Sequence, residues 1–322
     1  MNNEMWSTPK EIEQILISES KKKAVLFYEF APTGKLHAGI LRTLIRMNDV
    51  LEYLDSMDIN TTSILSIADQ VALKEQNHFP NFNQFKNRQL NKIPNPITGK
   101  GSYSDYFLDD IKKTIKYFKI KIDRYENVSK YYSKKMLYSF VPLIYKKQDE
   151  IIFILSKYQK SRPALFHPKC EKCGLLYQGT IYRINSLGCS DFKCTNCGYS
   201  SLISIINNVG IFPFKLETAI KWKLLNVDVQ FVGIDHKDAI KASIELYENL
   251  FGKCNIIPYF LNLTISEGNE VVRKSLGNYK PVTTFNEQER QELRELLKKT
   301  KDGLLLRLPQ KFRITKKSQN TL

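Results

Sequence analysis

A strand–helix–strand succession near the start of the chain constrains its fold more than any other feature. Residues 24–30, AVLFYEF, form a short apolar and aromatic run that is typical of a buried strand. Residues 39–57 repeat apolar positions at helical spacing, and residues 61–69 return to a β-rich run. Two strands joined by such a helix pair in parallel, so the order predicts a βαβ unit and an α/β fold.

The remaining chain shows the same alternation with one interruption. Residues 76–103 are rich in Asn, Pro, Gly and Gln without periodicity, which predicts a long loop or insertion. A cysteine-bearing segment covers residues 166–200. The other predicted elements are helices at 8–20, 104–119, 130–158, 236–252 and 286–299, and strands at 229–235 and 256–265.

The charge of the chain favours a polyanionic partner. The 322 residues include 49 Lys and Arg against 33 Asp and Glu, a net charge of +16. Such an excess attracts nucleic acid, although a general bias toward Lys, Asn and Ile is the alternative explanation. No apolar run approaches the ~20 residues that span a bilayer, and the first residues lack the apolar core of a signal peptide. We therefore expect a cytoplasmic protein that does not enter a membrane.

Four of the six cysteines form two Cys-x-x-Cys pairs separated by twenty residues. Each pair is followed by a glycine, Gly174 or Gly198, where a turn favours one. Four thiolates at this spacing predict a closed tetrahedral zinc site with a structural role, and a redox dithiol is the alternative. Cys189 and Cys254 are expected to be ordinary thiols. The predicted zinc ligands are Cys170, Cys173, Cys194 and Cys197.

A Pro-Thr-Gly turn joins the first predicted strand to the following helix. Such a turn directs backbone N–H groups and a helix N-terminus toward an anion, and His37 follows where its ring can donate to a phosphate. A histidine at a helix start is also a common surface residue, so this motif alone leaves both interpretations open.

Two later segments favour the phosphate interpretation. A polar loop holds Lys274 and Ser275, and a mobile lysine suits a transition state that accumulates phosphate charge. Earlier in the chain than this loop, Gly233 ends a predicted strand just before Asp235 and His236. A glycine there permits close backbone approach to a flat or polar ligand.

In this order, the three segments resemble the signatures of class I aminoacyl-tRNA synthetases. Residues 32–39, PTGKLHAG, look like the first signature, His-x-Gly-His. Residues 273–278, RKSLGN, look like the second, Lys-Met-Ser-Lys-Ser followed by x-Gly-Asn. The closest resemblance is to class I lysyl-tRNA synthetase, whose further landmarks match the cysteine pairs, Lys215, Leu216, Trp222 and residues 233–236. The resemblance covers about residues 24–280.

The resemblance implies a Rossmann-type domain with a zinc-bearing helical insertion. The implied ranges are 1–75 and 206–280 for the two halves of the Rossmann domain, 76–205 for the insertion and 281–322 for a short helical basic tail. The implied chemistry joins an amino acid, lysine in the family, to ATP as an aminoacyl-adenylate, and then transfers it to tRNA. Mg²⁺ is expected to accompany ATP.

By the same resemblance, individual residues receive roles. His37 would stabilise the phosphates and Lys274 the departing pyrophosphate. The residues implied to contact ATP are Thr33, Gly34, Gly39, Gly233, Asp235, His236 and Ser275.

The chain also departs from the family pattern. Ile40 and Val271 replace polar signature residues, and Lys221 precedes Trp222 where the family has an aspartate. A family segment rich in aspartate is matched by residues 67–71, which keep only Asp69. We expect Asp69 or Glu29 to supply a carboxylate for the amino acid, with a structural role for Glu29 as the alternative.

Three functions remain open from the sequence. The first is a reduced lysyl-type synthetase that charges tRNA, with the anticodon either unread or recognised by a partner protein. The second is a synthetase-like ligase that delivers the amino acid to another acceptor, and the third is a catalytically inactive RNA-binding paralogue.

Overall fold

The computed structural model describes residues 8–74, 82–262, 264–266, 281–300 and 306–309. Its strands are β1 (Lys23–Phe30), β2 (Asn60–Ile67), β3 (Arg124–Asn127), β4 (Cys189–Lys193), β5 (Ser200–Ser204), β6 (Val229–Gly233), β7 (Ile257–Leu261), β8 (Thr264–Ser266) and β9 (Leu306–Leu308). Its helices are α1 (Pro9–Ser18), α2 (Ala38–Ser56), α3 (Phe82–Phe85), α4 (Tyr103–Tyr117), α5 (Val128–Ser133), α6 (Val141–Lys146), α7 (Gln148–Ser156), α8 (Phe214–Leu225), α9 (Lys237–Phe251) and α10 (Glu287–Lys299).

The centre of the molecule is a five-stranded parallel sheet in the order β3-β2-β1-β6-β7. Counted along the chain, this is the order 3-2-1-4-5 of a doubly wound α/β sheet. The α/β, Rossmann-type prediction is confirmed.

Two apolar cores lie on opposite faces of this sheet. Leu26 of β1 packs into one core with apolar residues of α1, α2, α4 and α10. Phe27, the next residue, packs into the other with residues of α5 to α9 and the β4–β5 hairpin. Because both faces are covered, β1 is a nearly continuous apolar run, whereas β2 was evident from its Thr and Ile residues, which favour strands.

The chain crosses from one face to the other between β1 and β6. β1 leads into α2 on the first face, whereas β6 leads into α9 on the second. Tyr28 of β1 pairs with Phe231 of β6, so the same register sets Phe30 level with Gly233 and the two strands end together. Ligands of doubly wound sheets bind in the crevice that this divergence opens at the carboxyl ends of the strands.

The region predicted as one helical stretch at 130–158 is instead divided into α5, α6 and α7, so that prediction is wrong. Lys135 follows α5 with a left-handed φ of 56°, which ends the helix. Pro142 lies in the first turn of α6, where its missing N–H costs nothing. The predicted strand at 256–265 is likewise divided into β7 and β8.

Several elements were missed from the sequence, and three of them were missed for different reasons. β3 is a short polar edge strand, RYEN, without an apolar pattern. β9 is only three residues long. α8 is buried on nearly all sides, so it lacks the polar stripe that marks a surface helix. The domain boundaries stay a prediction, and β3 joins the sheet from within the range assigned to the insertion.

Residues 82–103 contain little regular structure, in keeping with the loop prediction, and pack through a small core of Leu73, Leu90, Ile93, Tyr103 and Phe107. Within the part of the chain that the structure describes, no helix is both long and apolar enough to cross a bilayer.

Candidate active site

The turn after β1 places His37 at the N-cap of α2. Its backbone is extended (φ −110°, ψ 164°), and its Nδ1 accepts a hydrogen bond from the Gly39 N–H at 3.1 Å. Because Nδ1 acts as the acceptor, the proton of the neutral ring lies on Nε2, which becomes the donor. A donor at the start of a 19-residue helix suits an anionic ligand, since the helix dipole acts in the same direction.

The turn itself is held by distant segments. Its Thr33 carbonyl accepts a hydrogen bond from the Tyr103 hydroxyl of α4 at 2.8 Å. The Leu36 carbonyl accepts one from the Val282 N–H at 3.1 Å. Gly34, between them, is buried. The position of the turn is therefore fixed by tertiary contacts as well as by its own sequence.

The second part of the site follows β6. Gly233 precedes a short 3₁₀ turn (Ile234–His236), and Asp235 and His236 are exposed there. A Cβ built on Gly233 would lie only 2.5 Å from Asp235 Oδ1, so this carboxylate folds back over the glycine. The His236 ring lies 5.8 Å from the ring of Phe214, at the start of α8.

Tyr28 links the two parts. Its hydroxyl bonds to Thr43 of α2, and its pKa is raised first by burial and also by the nearby charge of Asp235. The corner after β1 and the turn after β6 therefore border the same crevice, as the sheet topology requires.

The second predicted signature, with Lys274 and Ser275, lies outside the described residues. Both flanks of that segment are described. Before it, the Asn262 carbonyl accepts a hydrogen bond from Nη1 of Arg42, an almost fully buried side chain of α2, at 3.1 Å. After it, Val282 contacts Leu36, the neighbour of His37. Both flanks are thus fastened to the His37 corner and its helix.

A buried ion network lies on the α8 side of the same strand end. It consists of Glu29, Lys221 and Glu217 with the hydroxyls of Ser66 and Tyr132. The Lys221 ammonium, which is 0% exposed, bonds to Glu29 Oε2 and, at 2.8 Å, to Glu217 Oε1.

The hydroxyls complete the ion network. Ser66 donates to Glu29 at 2.7 Å, and Tyr132 donates to Glu217 while accepting the Phe212 N–H at 2.8 Å. Burial lowers the pKa of Lys221, but the two carboxylates outweigh that effect and raise it above its ordinary value. Burial also raises the pKa of Glu217.

The Asp69 carboxylate bonds to neighbouring segments of the fold. Its buried carboxylate accepts hydrogen bonds from the Asn127 amide at 3.1 Å and from the Ser129 N–H and hydroxyl at 2.9 and 2.5 Å. These bonds tie the end of β2 to the end of β3 and the start of α5.

The four predicted zinc ligands converge. Their sulfur atoms all lie within 4.8 Å of one another, with 3.6 Å between Cys170 and Cys197 and 3.7 Å between Cys173 and Cys194. A tetrahedral zinc with ~2.3 Å bonds requires sulfur separations of about 3.8 Å, so the cluster fits this metal. All six cysteines are free rather than in disulfides.

The two knuckles share one backbone geometry. Gly174 and Gly198 adopt φ of +73° and +71°, and each N–H bonds to the carbonyl of the first cysteine in its pair. Burial raises the pKa of the Cys194 thiol, but the N–H groups of Cys197 and Asn196 oppose this and bring it to about 7.

Comparison with known proteins decides the family. A model of the family described as tRNA synthetases class I (K) matches residues 5–302. The chain belongs to this family.

The class I (K) relatives include the lysine–tRNA ligase of Picrophilus torridus, 23% identical over 256 residues, which are 77% of this chain and 50% of that protein. The lysine–tRNA ligase of Rickettsia bellii is 24% identical over 281 residues, 84% of this chain and 53% of that protein. The chain therefore spans about half the length of the curated relatives it matches. Among solved structures, the tyrosyl-tRNA synthetase of Archaeoglobus fulgidus complexed with L-tyrosine is 15% identical, with a TM-score of 0.47, and covers 88% of this chain and 68% of that one.

Sequence reasoning missed two features of this candidate site. Arg42 looked like one more polar position on an amphipathic helix, although it is buried and fastens a distant segment. The role of Glu217 was missed because its partner Tyr132 comes from α5, which is far away in sequence. The i, i+4 spacing of Glu217 and Lys221 was visible in the sequence but is common on surface helices.

Proposed function

We propose that this chain activates an amino acid with ATP and transfers it to the terminal ribose of a tRNA. The observation that carries the proposal is the shared crevice. The capped start of α2 and the Gly233 turn meet there, at the divergence of β1 and β6.

The crevice suits the first step of this reaction. An oxygen of the amino-acid carboxylate attacks the α-phosphorus of ATP, a new O–P bond forms, and the bond to pyrophosphate breaks. Catalysis of such a transfer depends mainly on positioning and charge stabilisation. His37 Nε2–H and the start of α2 would hold the phosphates, and the turn at residues 233–236 would line the nucleoside pocket, where Asp235 offers an acceptor for a ribose hydroxyl.

Lys274 and Ser275 are proposed to complete the phosphate site. Lys274 lies seven residues before Pro281, a stretch that spans at most about 25 Å. Because Val282 is bonded to the neighbour of His37, Lys274 has the reach to act in the same crevice. Mg²⁺ would accompany the ATP phosphates.

The cysteine cluster is proposed to hold one structural Zn²⁺. Four thiolates leave no open coordination position, so this metal would organise the insertion and take no part in activation.

The test is pyrophosphate exchange into ATP with each of the twenty amino acids, with and without total tRNA. Lysine is the reference amino acid of this panel, because the curated relatives are lysine–tRNA ligases. We expect exchange with one amino acid, followed by charging of tRNA with it. Exchange without charging would favour another acceptor, and no exchange under either condition would refute the proposal.

Two substitutions at His37 separate catalysis from structure. His37→Asn keeps an N-cap acceptor for the Gly39 N–H but lacks Nε2, whereas His37→Ala removes both. We expect both to lower the exchange rate by ~10²–10³. Only His37→Ala should also lower the free energy of unfolding, by about 1 kcal/mol. Full exchange activity in His37→Asn would contradict the assigned role.

A further inference from the structure

The ion network lies where the amino acid must enter. Glu29 is the penultimate residue of β1, and its side chain is on the α8 face, next to the crevice. If the phosphates bind at the start of α2 on the opposite face, as proposed above, an amino acid that reacts at the α-phosphorus would lie across the strand ends, toward Glu29.

The charges of the ion network are already paired. Lys221 bonds to both carboxylates, and three of the four carboxylate oxygens accept hydrogen bonds from Lys221, Ser66 or Tyr132. The ammonium itself is fully buried, with α8 behind it. A second ammonium brought to the ion network would meet the like charge of Lys221 and carboxylates that are already bonded to it.

We propose that the Lys221 ammonium takes the position that the ammonium of a cationic substrate would take. The site would then accept an amino acid with an uncharged side chain. This inference rests on the proposed function, because it names the substrate class of the same site. It separates this chain from the lysine specificity named for its relatives.

The wild-type protein provides the first test. In the exchange panel, we expect the best amino acid to have an uncharged side chain, and lysine, ornithine and arginine to give kcat/KM values at least ~10²-fold lower. Lysine within tenfold of the best amino acid would overturn the inference and leave the proposed function standing.

A substitution provides the second test. Lys221→Ala leaves Glu29 and Glu217 around an empty space of the size of an alkylammonium side chain. We expect n-butylammonium and lysine to raise the thermal midpoint of Lys221→Ala, and neither to stabilise the wild type or Lys223→Ala. Lys223 is the matched control because it is an exposed lysine on the same helix. Absence of any cation-dependent shift in folded Lys221→Ala would contradict the inference.

A second variant keeps the inference testable if Lys221→Ala does not fold. The double substitution Glu217→Gln with Lys221→Met removes one charge of each sign and keeps the packing volume. We expect it to fold and to discriminate against lysine less strongly than the wild type, because Glu29 then lacks its cation. Unchanged discrimination against lysine in the folded double variant would contradict the inference. If no amino acid supports exchange in the wild type, the proposed function fails, and calorimetric titration of the wild type with lysine and with uncharged amino acids then decides the inference alone. Tighter binding of lysine would overturn it, and tighter binding of an uncharged amino acid would support it.

Discussion

The cysteine cluster and the ion network each bring several polar side chains to one point, but by opposite routes. The cluster is built from two Cys-x-x-Cys knuckles, and its ligands come from a single stretch of 28 residues between Cys170 and Cys197. The ion network joins Glu29 to Lys221, which are 192 positions apart, and adds hydroxyls from β2 and α5.

The difference concerns what holds each group together. A metal can organise the cluster with little help from the rest of the fold, because the free energy of metal binding contributes directly to the folding of this segment. The ion network exists only after the sheet and α8 have assembled, because burial is what makes its charges depend on one another. Loss of the cluster should therefore act locally, and loss of the ion network should act on the whole sheet.

The largest expected effect is at the cluster. Cys173→Ser should reduce zinc from about one ion per chain to almost none and abolish hydrogen-exchange protection in β4 and β5. Protection in β1 and β6 should be retained. Metal analysis and hydrogen exchange measure both results.

Cys189→Ser is the matched control, since this cysteine lies outside the cluster. Loss of protection in β1 together with β4 in Cys173→Ser would show that the cluster is not a local unit.

The next effect is at Lys221. Lys221→Met leaves two buried carboxylates without their cation and should lower the free energy of unfolding by about 3–5 kcal/mol at pH 8. Lys223→Met, at an exposed site, should change it by less than ~0.5 kcal/mol. Denaturant unfolding measures both, and equal effects would contradict the burial argument.

The pH dependence sharpens this prediction. Because the folded-state pKa of Lys221 is raised, its stabilisation is present below the unfolded pKa of ~10.4 and is lost as the pH rises through the folded pKa. In Lys221→Met the pKa of Glu217, which burial already raises, should rise further because its cation is gone, so protonation of this carboxyl restores stability in acid. The difference between wild type and variant should be largest near pH 8–10 and smaller at pH 5.

A smaller effect is expected at Tyr132. Tyr132→Phe removes the donor to Glu217 and leaves the buried Phe212 N–H without its acceptor, at a cost of about 1–3 kcal/mol. Tyr117→Phe is matched to it, because that hydroxyl also donates to a glutamate, Glu287, but at the surface. The surface change should cost less than ~1 kcal/mol, and a reversed order would break the comparison.

The smallest effect is at Ser66, where Ser66→Ala removes one donor to Glu29 and should cost about 1 kcal/mol. Ser133→Ala, which removes an exposed bond to the Lys130 carbonyl, should cost less than ~0.5 kcal/mol. Thermal unfolding distinguishes them, and a neutral Ser66→Ala would mean that the network does not need its hydroxyls.

Much of the fold could be predicted because its signals are local. The apolar run of β1, the β-rich composition of β2, the period of α2 and the glycines after each cysteine pair are all patterns within a few residues of the chain. Predictions failed where tertiary packing overrode the local pattern. α8 is buried nearly all round, and the 130–158 stretch is broken where Lys135 adopts a left-handed conformation.

The candidate site divides in the same way. The N-cap role of His37 follows from its position between a strand and a helix, and the structure adds the tautomer. Asp69 or Glu29 was expected to supply a carboxylate for the amino acid, with a structural role for Glu29 as the alternative, and that role stays a prediction. The structure places Asp69 among donors from β3 and α5, and pairs Glu29 with Lys221.

The sequence alone determined the parallel α/β class, the corner at His37 and the set of four cysteines, since each depends on spacing along the chain. Only the tertiary structure decided which charges meet at the end of β1 and which segments fasten the His37 turn. Those contacts join residues that are far apart in sequence, and their energies depend on burial, which no local pattern records.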